Sequence, residues 1–346
     1  MASRAFITGL SGLTLTADER AFLREAGPWG LILFKRNIHD KSQVTDLICE
    51  ALDEIGRDAL VLIDQEGGRV QRLEPPHWPV YPPGMAYGRI YDRDRNAGLA
   101  AARLGARLIA ADLAELGINV DCLPLADVPV GGADPVIGDR AYGETPDKVA
   151  AIAGAIAEGL AAGGVLPVLK HLPGHGRATA DSHHALPRVD TDRATLEVTD
   201  FAAFRPLAGL PIGMTAHVVF TAIDPVAPAT TSVTMVREVI RGWIGFRGLL
   251  MSDDISMGAL SGSLAERSRA ALAAGCDVVL HCNGRIGEMQ EVAAQAPLLA
   301  GEAARRADAA LASRHAPEAF DAEVARATFL AMLAGQRPAG ARVSMS

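Results

Sequence analysis

The sequence predicts a single α/β domain, a (β/α)8 barrel of the TIM type with a C-terminal helical extension. Three observations lead to this prediction. Eight short runs rich in Val, Ile and Leu alternate with longer stretches rich in Ala, Leu, Arg and Glu. Most of these runs are apolar throughout, as in a parallel sheet that is buried on both faces. Polar residues gather where the runs end, which is where barrel enzymes carry their active-site groups.

The eight runs give the predicted strands in chain order. They cover residues 5–9, 30–34, 59–64, 118–125, 165–171, 211–217, 248–254 and 277–283. Helices are predicted between them over 42–55, 96–116, 146–162, 195–208, 234–241, 264–274 and 286–298. Thr16, which Glu19 follows three residues later, resembles the N-cap of a further helix. Strand–helix repetition over this length favours a barrel.

A doubly wound open sheet would produce the same alternation, and hydrophobic periodicity alone does not separate the two folds. Against the open sheet, the chain has no GxGxxG or GxxxxGKS loop directly after a strand. We assign residues 1–300 to the barrel and residues 301–346 to C-terminal helices and a tail that pack on it. The helices of this extension are predicted at 301–313 and 318–335.

Composition and charge narrow the classes of function. Of the 346 residues, 49% are hydrophobic and 21% are charged, as in an ordinary globular protein. The net charge of −8 and the pI near 5.6 argue against a nucleic-acid partner. The N-terminus is a poor signal peptide, and no stretch has the roughly 20 uninterrupted apolar residues of a membrane span. The four cysteines lack CxxC spacing, so free thiols and a cytoplasmic location are expected.

The polar residues at the predicted strand ends are acids, histidines and one lysine. They are Asp64, Asp127, Lys170, His171, His217, Asp253 and Asp254. The carboxyl ends of all strands in a parallel barrel lie on one face. These side chains are therefore expected around one shared mouth.

The glycine-rich segment KHLPGHGRATADSHHALPRVD (170–190) holds four of the nine histidines. Metal binding, acid/base chemistry and packing are the alternatives. The possible metal ligands are His171, His175, Asp181, His183 and His184. A hydrolytic zinc site usually places two histidines four residues apart on a helix, but Pro173, Gly174 and Gly176 break any helix here. Metal binding is therefore the less favoured alternative.

The DSH triplet in this segment favours acid/base chemistry. Asp181 and His183 are two residues apart, which separates them on a helix but can bring both side chains to one side of an extended loop. A carboxylate bonded to one imidazole nitrogen fixes the tautomer and stabilises the protonated ring, and the other nitrogen can then give or take a proton.

The segment LLMSDDISMGA places Asp253 and Asp254 side by side at a strand end. One alternative is that they form the N-cap of the following helix. The other is that one of them is a nucleophile. Because side chains alternate along a strand, only one of the two should face the mouth.

The segment LIDQEGGRVQRL ends a strand at Asp64, turns at two glycines and continues to Arg72. A carboxylate that binds vicinal hydroxyls and an arginine that binds another oxygen suit a sugar or a phosphate. The alternative is an exposed Asp–Arg pair, which contributes little. Arg140 on a Gly-flanked loop and Lys170 at a strand end are weaker candidates alone. A buried lysine could form a Schiff base, so an aldolase stays an alternative.

Six motifs together resemble the single-domain bacterial β-N-acetylhexosaminidases of glycoside hydrolase family three. In order from about residue 30 to residue 284, they are GLILFKRN, IDQEGGRVQR, IGDRAYG, KHLPGHGRATADSHHALP, MTAHVVF and MSDDISMGA. The combined KHxPGHG…DSH and SDD pattern is far more specific than any piece alone. The resemblance implies a (β/α)8 barrel and the activity of the cytoplasmic N-acetylglucosaminidase of peptidoglycan recycling.

The resemblance also implies residue roles. Asp253, the first aspartate of SDD, matches the catalytic nucleophile, His183 of DSH matches the acid/base, and Asp181 matches its dyad partner. The positions that grip the terminal N-acetylglucosamine are matched by Asp64, Arg72, Arg140, Lys170 and His171. The chain departs from the family at Leu172, where a phenylalanine is common, and at His184, whose effect on the dyad stays open.

The implied reaction is hydrolysis of terminal non-reducing β-linked N-acetylglucosamine with retention of configuration. The expected substrates are N-acetylglucosamine-anhydro-N-acetylmuramyl peptides. The enzyme is expected to be a monomer that needs no metal or other cofactor. No nucleic-acid or membrane partner is expected. Two alternatives stay open. One is a metal-dependent barrel hydrolase that uses His171, His175 and His183, and the other is a sugar-binding protein that has lost the chemistry.

Overall fold

The computed structural model describes residues 3–182 and 185–335, and eight parallel strands in it close into a barrel. The strands follow one another around the ring in chain order, and the first pairs with the last. They are β1 (Arg4–Gly9), β2 (Pro28–Leu33), β3 (Leu60–Ile63), β4 (Val120–Asp121), β5 (Leu166–Leu172), β6 (Ile212–Thr215), β7 (Leu249–Asp254) and β8 (Val278–His281). The predicted barrel is confirmed, and the doubly wound open sheet is excluded.

The apolar strand runs form the core of the barrel. Every residue of β3, from Leu60 to Ile63, is inaccessible to solvent. A strand that is covered on both faces needs apolar side chains on both, which is why these runs do not alternate with polar residues. Several strands are shorter than predicted, and the largest difference is at β4, which covers Val120–Asp121 where residues 118–125 were predicted. Pro124, in the part that does not join the strand, has no N–H to donate to a neighbour.

Helices surround the strands. The α-helices are α1 (Ala17–Ala26), α2 (Lys41–Ile55), α3 (Gly84–Arg93), α4 (Arg95–Ala114), α5 (Pro146–Ala162), α6 (Arg193–Val198), α7 (Leu264–Ala274), α8 (Ile286–Gln295), α9 (Gly301–Ala312) and α10 (Ala322–Leu333). The N-cap prediction for α1 is confirmed, since Thr16 Oγ1 accepts a bond from the Glu19 N–H and the Glu19 carboxylate accepts one from the Thr16 N–H. Within the described ranges, no helix combines the length and apolarity needed to cross a membrane.

Three helical segments differ from the prediction. The predicted helix over 195–208 is divided into α6 and a 3-10 helix (Phe201–Leu207), because the backbone leaves the helical region at Thr199 and Pro206 lacks an N–H. The predicted helix over 234–241 is a π-helix (Met235–Trp243). The third, α3, was not among the predicted helices.

Two glycines explain both why α3 was not predicted and why it can pack closely against its neighbouring loop. Glycine lowers helix propensity, so GMAYGRIYDR does not stand out as a helix. A Cβ at Gly84 would lie 2.1 Å from the Arg140 carbonyl oxygen, and one at Gly88 would lie 2.0 Å from that of Tyr142. The missing side chains let α3 approach the loop that carries Arg140.

The C-terminal helices lie against the barrel. Arg306 of α9 donates to the Asp277 carboxylate at 2.8 Å. Phe329 of α10 packs its ring against Tyr81 and Tyr87, with centroid distances of 6.5 and 6.3 Å. The division of the chain at residue 300 stays a prediction.

The barrel register is interrupted twice at its carboxyl end. The pairing of β5 with β6 shifts between Leu169 and Leu172, and that of β7 with β8 shifts between Met251 and Asp254. Such bulges change the direction of side chains and are common beside active sites. Lys170, His171, Ser252 and Asp253 lie within these shifts.

Candidate active site

Six of the predicted site residues come together at the carboxyl ends of the strands. They are Asp64, Arg72, Arg140, Lys170, His171 and Asp253, and hydrogen bonds or charge interactions connect them directly or through a shared partner. Asp181 lies on the segment that follows β5. His183, the predicted acid/base, and its neighbour His184 lie outside the described residues.

Asp64 forms the first ion pairs of the site, directly after β3. Its carboxylate accepts a bond from Arg72 Nη2 at 2.9 Å and one from Lys170 Nζ at 3.1 Å. Burial alone would raise the pKa of Asp64, but Lys170 and Arg72 outweigh it and hold this pKa well below its usual value. Because the side chains of Asp64 and Arg72 are only 16% and 24% exposed, the alternative of an exposed Asp–Arg pair is wrong.

A tight hairpin returns Arg72 to Asp64. The strand Gln65–Gly67 pairs with Val70–Gln71, and Gly67 and Gly68 have φ angles of +91° and +57° at the turn between them. Side chains other than glycine rarely adopt these angles. Arg69, in the same hairpin, instead donates to Asp139 and to backbone carbonyls of the loop that carries Arg140.

Glu66 was not among the predicted site residues, yet it joins two of them. Its carboxylate accepts bonds from Arg140 Nε at 2.8 Å and Nη2 at 2.7 Å, and lies 2.7 Å from Lys170 Nζ. Burial alone would raise the pKa of Glu66, but Arg140 and Lys170 lower it to about 2. The sequence carried a signal, because a residue two positions after Asp64 in an extended segment faces the same side.

Lys170 is held between the carboxylates of Asp64 and Glu66. Burial favours the neutral amine, but Glu66 and Asp64 together raise the pKa of Lys170 above its usual value. A Schiff-base lysine must lose its proton before it can attack a carbonyl. The ammonium state of Lys170 therefore removes the basis for the aldolase alternative.

His171 is oriented by Asp127, a strand-end residue that was predicted to face the mouth. His171 Nδ1 donates to Asp127 Oδ2 at 2.7 Å, and its backbone N–H donates to Oδ1 at 3.3 Å. Burial would raise the pKa of Asp127, but His171 lowers it to about 2. A carboxylate bonded to Nδ1 fixes the ring and leaves Nε2 available to a ligand.

Asp253 and Asp254 have different partners, as the alternation of strand side chains predicts. His217, His171 and Lys170, all from other strand ends, interact electrostatically with the Asp253 carboxylate. Burial alone would raise the pKa of Asp253, but His217 and His171 bring it below its usual value. Asp253 is therefore ionised among the residues of the mouth.

Asp254 instead holds the backbone that follows β7. Its carboxylate accepts bonds from the Ser256 N–H and hydroxyl and from the Cys282 N–H. The next helix, α7, has Ser263 as its N-cap. The N-cap alternative for the two aspartates is therefore wrong.

His217, which follows β6, contacts the backbone of the neighbouring strand β7. Its ring is fully buried, with Nε2 3.0 Å from the Asp254 carbonyl oxygen and Nδ1 2.7 Å from Thr230 Oγ1. Because a carbonyl only accepts hydrogen bonds, Nε2 carries a proton. These two contacts fix the ring beside Asp253.

The start of the segment that follows Pro173 lies against the rim of the barrel. Gly176 lies so close to this rim that a Cβ would be 2.2 Å from the Val128 carbonyl oxygen. Arg177 donates to the buried Asp200 carboxylate at 2.9 Å and to Thr199 Oγ1 at 3.3 Å. These contacts hold the start of the DSH segment, which leads from β5 to Asp181 and Ser182, against the barrel.

No group of three or more His, Cys, Asp or Glu side chains within residues 3–182 and 185–335 is arranged to hold a metal ion. The two described histidines of the proposed ligand set, His171 and His175, each have a ring nitrogen bonded to a side chain, Asp127 and Ser182. The third proposed ligand, His183, lies outside the described ranges.

Comparisons with known proteins agree with the motif resemblance. The model of the Glycosyl hydrolase family 3 N terminal domain matches residues 9–311. A β-hexosaminidase of Alkalilimnicola ehrlichii is 41% identical over 280 residues, which are 80% of this chain and 79% of that protein.

The fold is similar to that of NagZ from Neisseria gonorrhoeae. Its crystal structure in complex with N-trifluoroacetyl-D-glucosamine has a TM-score of 0.84 and 31% sequence identity, and covers 97% of each chain. A structure of the same protein in complex with a zinc ion has a TM-score of 0.82 and 30% identity, and covers 96% of this chain and 97% of that one.

Proposed function

The chain belongs to glycosyl hydrolase family 3, and we propose that it releases terminal β-linked N-acetylglucosamine from peptidoglycan fragments with retention of configuration. It is a β-N-acetylhexosaminidase, and its substrate is a carbohydrate. We propose N-acetylglucosamine-anhydro-N-acetylmuramyl peptides as the natural substrates. We further propose that the enzyme acts as a cytoplasmic monomer in cell-wall recycling and needs no cofactor.

One observation carries the mechanism: the Asp253 carboxylate lies at the carboxyl end of β7, where His217, His171 and Lys170 lower its pKa. A retaining glycosidase needs such a carboxylate beneath the anomeric carbon. In the first step Asp253 attacks this carbon and forms a glycosyl-enzyme, while His183 protonates the leaving oxygen. In the second step His183 takes a proton from water, and that water releases the sugar from Asp253.

A histidine can replace the carboxylic acid that most glycosidases use. An ordinary imidazole has a pKa of about 6.5, so it can give and take a proton near neutrality without a large pKa shift. Asp181 would accept a bond from one ring nitrogen and stabilise the imidazolium. Gly176 and Arg177 hold the start of the segment that carries Asp181 against the barrel. This supports the proposed role, because the dyad must reach the glycosidic oxygen from above the mouth.

The remaining polar groups would hold the sugar. The Asp64 carboxylate is placed by Arg72 and Lys170, so its free lone pairs can accept bonds from ring hydroxyls without further ordering. His171, fixed through Nδ1 by Asp127, would offer Nε2. Arg140, which is paired with the Glu66 carboxylate, would also bind the sugar.

A product assay tests the proposed function directly. Purified enzyme is incubated with disaccharide anhydro-muropeptides and, separately, with chitobiose, and the anomer first released is recorded by NMR. We expect β-N-acetylglucosamine from both, with faster release from the muropeptide. Initial release of the α-anomer would refute retention, and a preference for chitobiose would refute the muropeptide assignment.

Removing the acid/base residue should separate good from poor leaving groups. For His183→Ala, we expect kcat/KM on chitobiose to fall about 10²- to 10⁴-fold, the usual contribution of general acid/base catalysis. The loss on a dinitrophenyl β-N-acetylglucosaminide should be much smaller, because this leaving group departs without protonation. Equal losses on both substrates would rule out the acid role.

Metal removal distinguishes the metal-dependent alternative. The enzyme is dialysed against EDTA, and activity and bound zinc are then measured. We expect full activity with zinc well below one equivalent per chain, because Asp253 and His183 need no Lewis acid. Activity that disappears with the zinc and returns on its addition would favour the metal hydrolase.

A further inference from the structure

His175 is a histidine of the KHLPGHG motif to which the proposed reaction gives no role. Its side chain is almost completely buried, and its ring packs edge-on against His171 with a centroid distance of 5.8 Å. Its backbone N–H donates to Asp127 Oδ1 at 2.7 Å, the same carboxylate that orients His171. The His175 ring is therefore fixed relative to the sugar-binding groups.

Among the described residues, the ring of His175 has one polar partner, Ser182. Nε2 lies 3.1 Å from Ser182 Oγ, whereas Nδ1 is buried with no partner among the described residues. Burial lowers the pKa of His175 to about 4, so the ring is neutral near pH 7. A proton on Nε2 leaves only a lone pair at the unpartnered Nδ1, which is less costly than a buried unpaired N–H. The ring therefore donates to Ser182.

Ser182 is held from two sides. Its side chain bonds to His175, and its carbonyl oxygen accepts a bond from the Ala259 N–H at 3.1 Å. Ala259 lies in the segment that follows Asp253 and Asp254. One buried serine thus connects the DSH segment both to the sugar-binding side of the mouth and to the nucleophile side.

We propose that His175 and Ser182 form a latch that holds the acid/base dyad over the barrel mouth. Ser182 stands between Asp181 and His183 in the chain, so fixing its position limits the positions of both neighbours. His175 and Ser182 are positioning residues that do not touch the substrate. The inference rests on the proposed function, because the latch matters to catalysis only if Asp181 and His183 supply the proton.

The test compares two hydroxyl deletions on one loop. Ser182→Ala removes the latch hydroxyl, and Thr179→Ala, the control, removes an exposed hydroxyl that has no hydrogen bond to another described residue. For Ser182→Ala we expect kcat/KM on chitobiose to fall about tenfold, as expected for loss of one hydrogen bond. The change on the dinitrophenyl substrate should stay within about twofold, because that substrate needs no proton. Thr179→Ala should match wild type on both.

Hydrogen exchange gives a readout that does not depend on turnover. Exchange is followed in peptides that cover residues 176–188 and 255–260 of wild type and both variants. We expect Ser182→Ala alone to speed exchange in both peptides, because the latch joins them. Unchanged exchange in Ser182→Ala would overturn the latch, and so would equal losses on the two substrates.

A double-mutant cycle adds His175→Phe, which keeps an aromatic ring in the pocket. If the two residues act through one bond, the double variant should be no worse than the worse single variant, and additive losses would contradict the latch. Should wild type hydrolyse neither substrate, the proposed function fails while hydrogen exchange still decides the latch. If His175→Phe does not fold, Ser182→Ala still decides it.

Discussion

Replacing Asp253 with asparagine is expected to remove nearly all hydrolysis of a nitrophenyl β-N-acetylglucosaminide without unfolding the chain. An amide is a poor nucleophile, so the loss in kcat should reach about 10⁴-fold or more. The fold should tolerate the change, because the asparagine oxygen can still accept the bond that Asp253 receives from the Asp254 N–H. We expect the Tm to change by about 4 °C or less.

Asp254→Asn is the matched control, since it makes the same change one residue later. The asparagine oxygen can keep the bonds from the Ser256 and Cys282 N–H groups, and the new NH2 can donate to the Ser256 hydroxyl. Activity should stay within about tenfold of wild type. Wild-type turnover by Asp253→Asn would place the nucleophile elsewhere, and a greater loss in Asp254→Asn would assign it to Asp254.

The second large effect is expected from Glu66→Gln, which should lower both stability and substrate affinity. Of the described residues, Glu66 is the one carboxylate that pairs with Arg140, so Arg140 would lose this partner and Lys170 would keep Asp64. Breaking a buried pair by neutralising one partner costs about 3–5 kcal/mol. KM should rise, because Arg140 and Lys170 are proposed to hold the sugar. Urea unfolding and Michaelis–Menten kinetics measure the two effects.

The same variant should change the dependence of stability on pH. The pKa of Glu66 is about 2 in the folded chain, below its usual 4.5. The contribution of ionised Glu66 to the free energy of unfolding is therefore complete above pH 4.5 and is lost as the pH falls toward 2. Glu66→Gln should reduce the loss of stability over this range. The control, Glu74→Gln, removes an exposed partner of Lys35 and should leave both the stability and its pH dependence nearly unchanged.

The barrel was predictable from the sequence because its signals are local. A strand that is covered on both faces must be apolar along its length, as β3 is, and each such run was visible without knowledge of its neighbours. The division of the predicted helix over 195–208 was less visible. It depends on Thr199 and on the bond of Asp200 to Arg177, which is distant in the chain.

The candidate site was predictable as a set of residues but not as a set of bonds. Asp64, Lys170 and Asp253 each lie at or next to the carboxyl end of a strand, so their meeting follows from the parallel barrel. Glu66 follows the end of β3, and its role depends on a lysine and an arginine from two other segments. The contact of His175 with Ser182 depends on the path of a glycine-rich segment, which no periodicity describes.

The pairing of β1 with β8 has a consequence for synthesis on the ribosome. Phe6 is opposite Val279 in the closed barrel. Strand β1, which is synthesised before the other strands, therefore cannot pair on this side until β8 has been synthesised. Until then β1 has an unpaired edge, and such edges can associate with other chains. Release of the nascent chain just before residue 278 should therefore yield an aggregation-prone product, whereas release after α8 completes the ring.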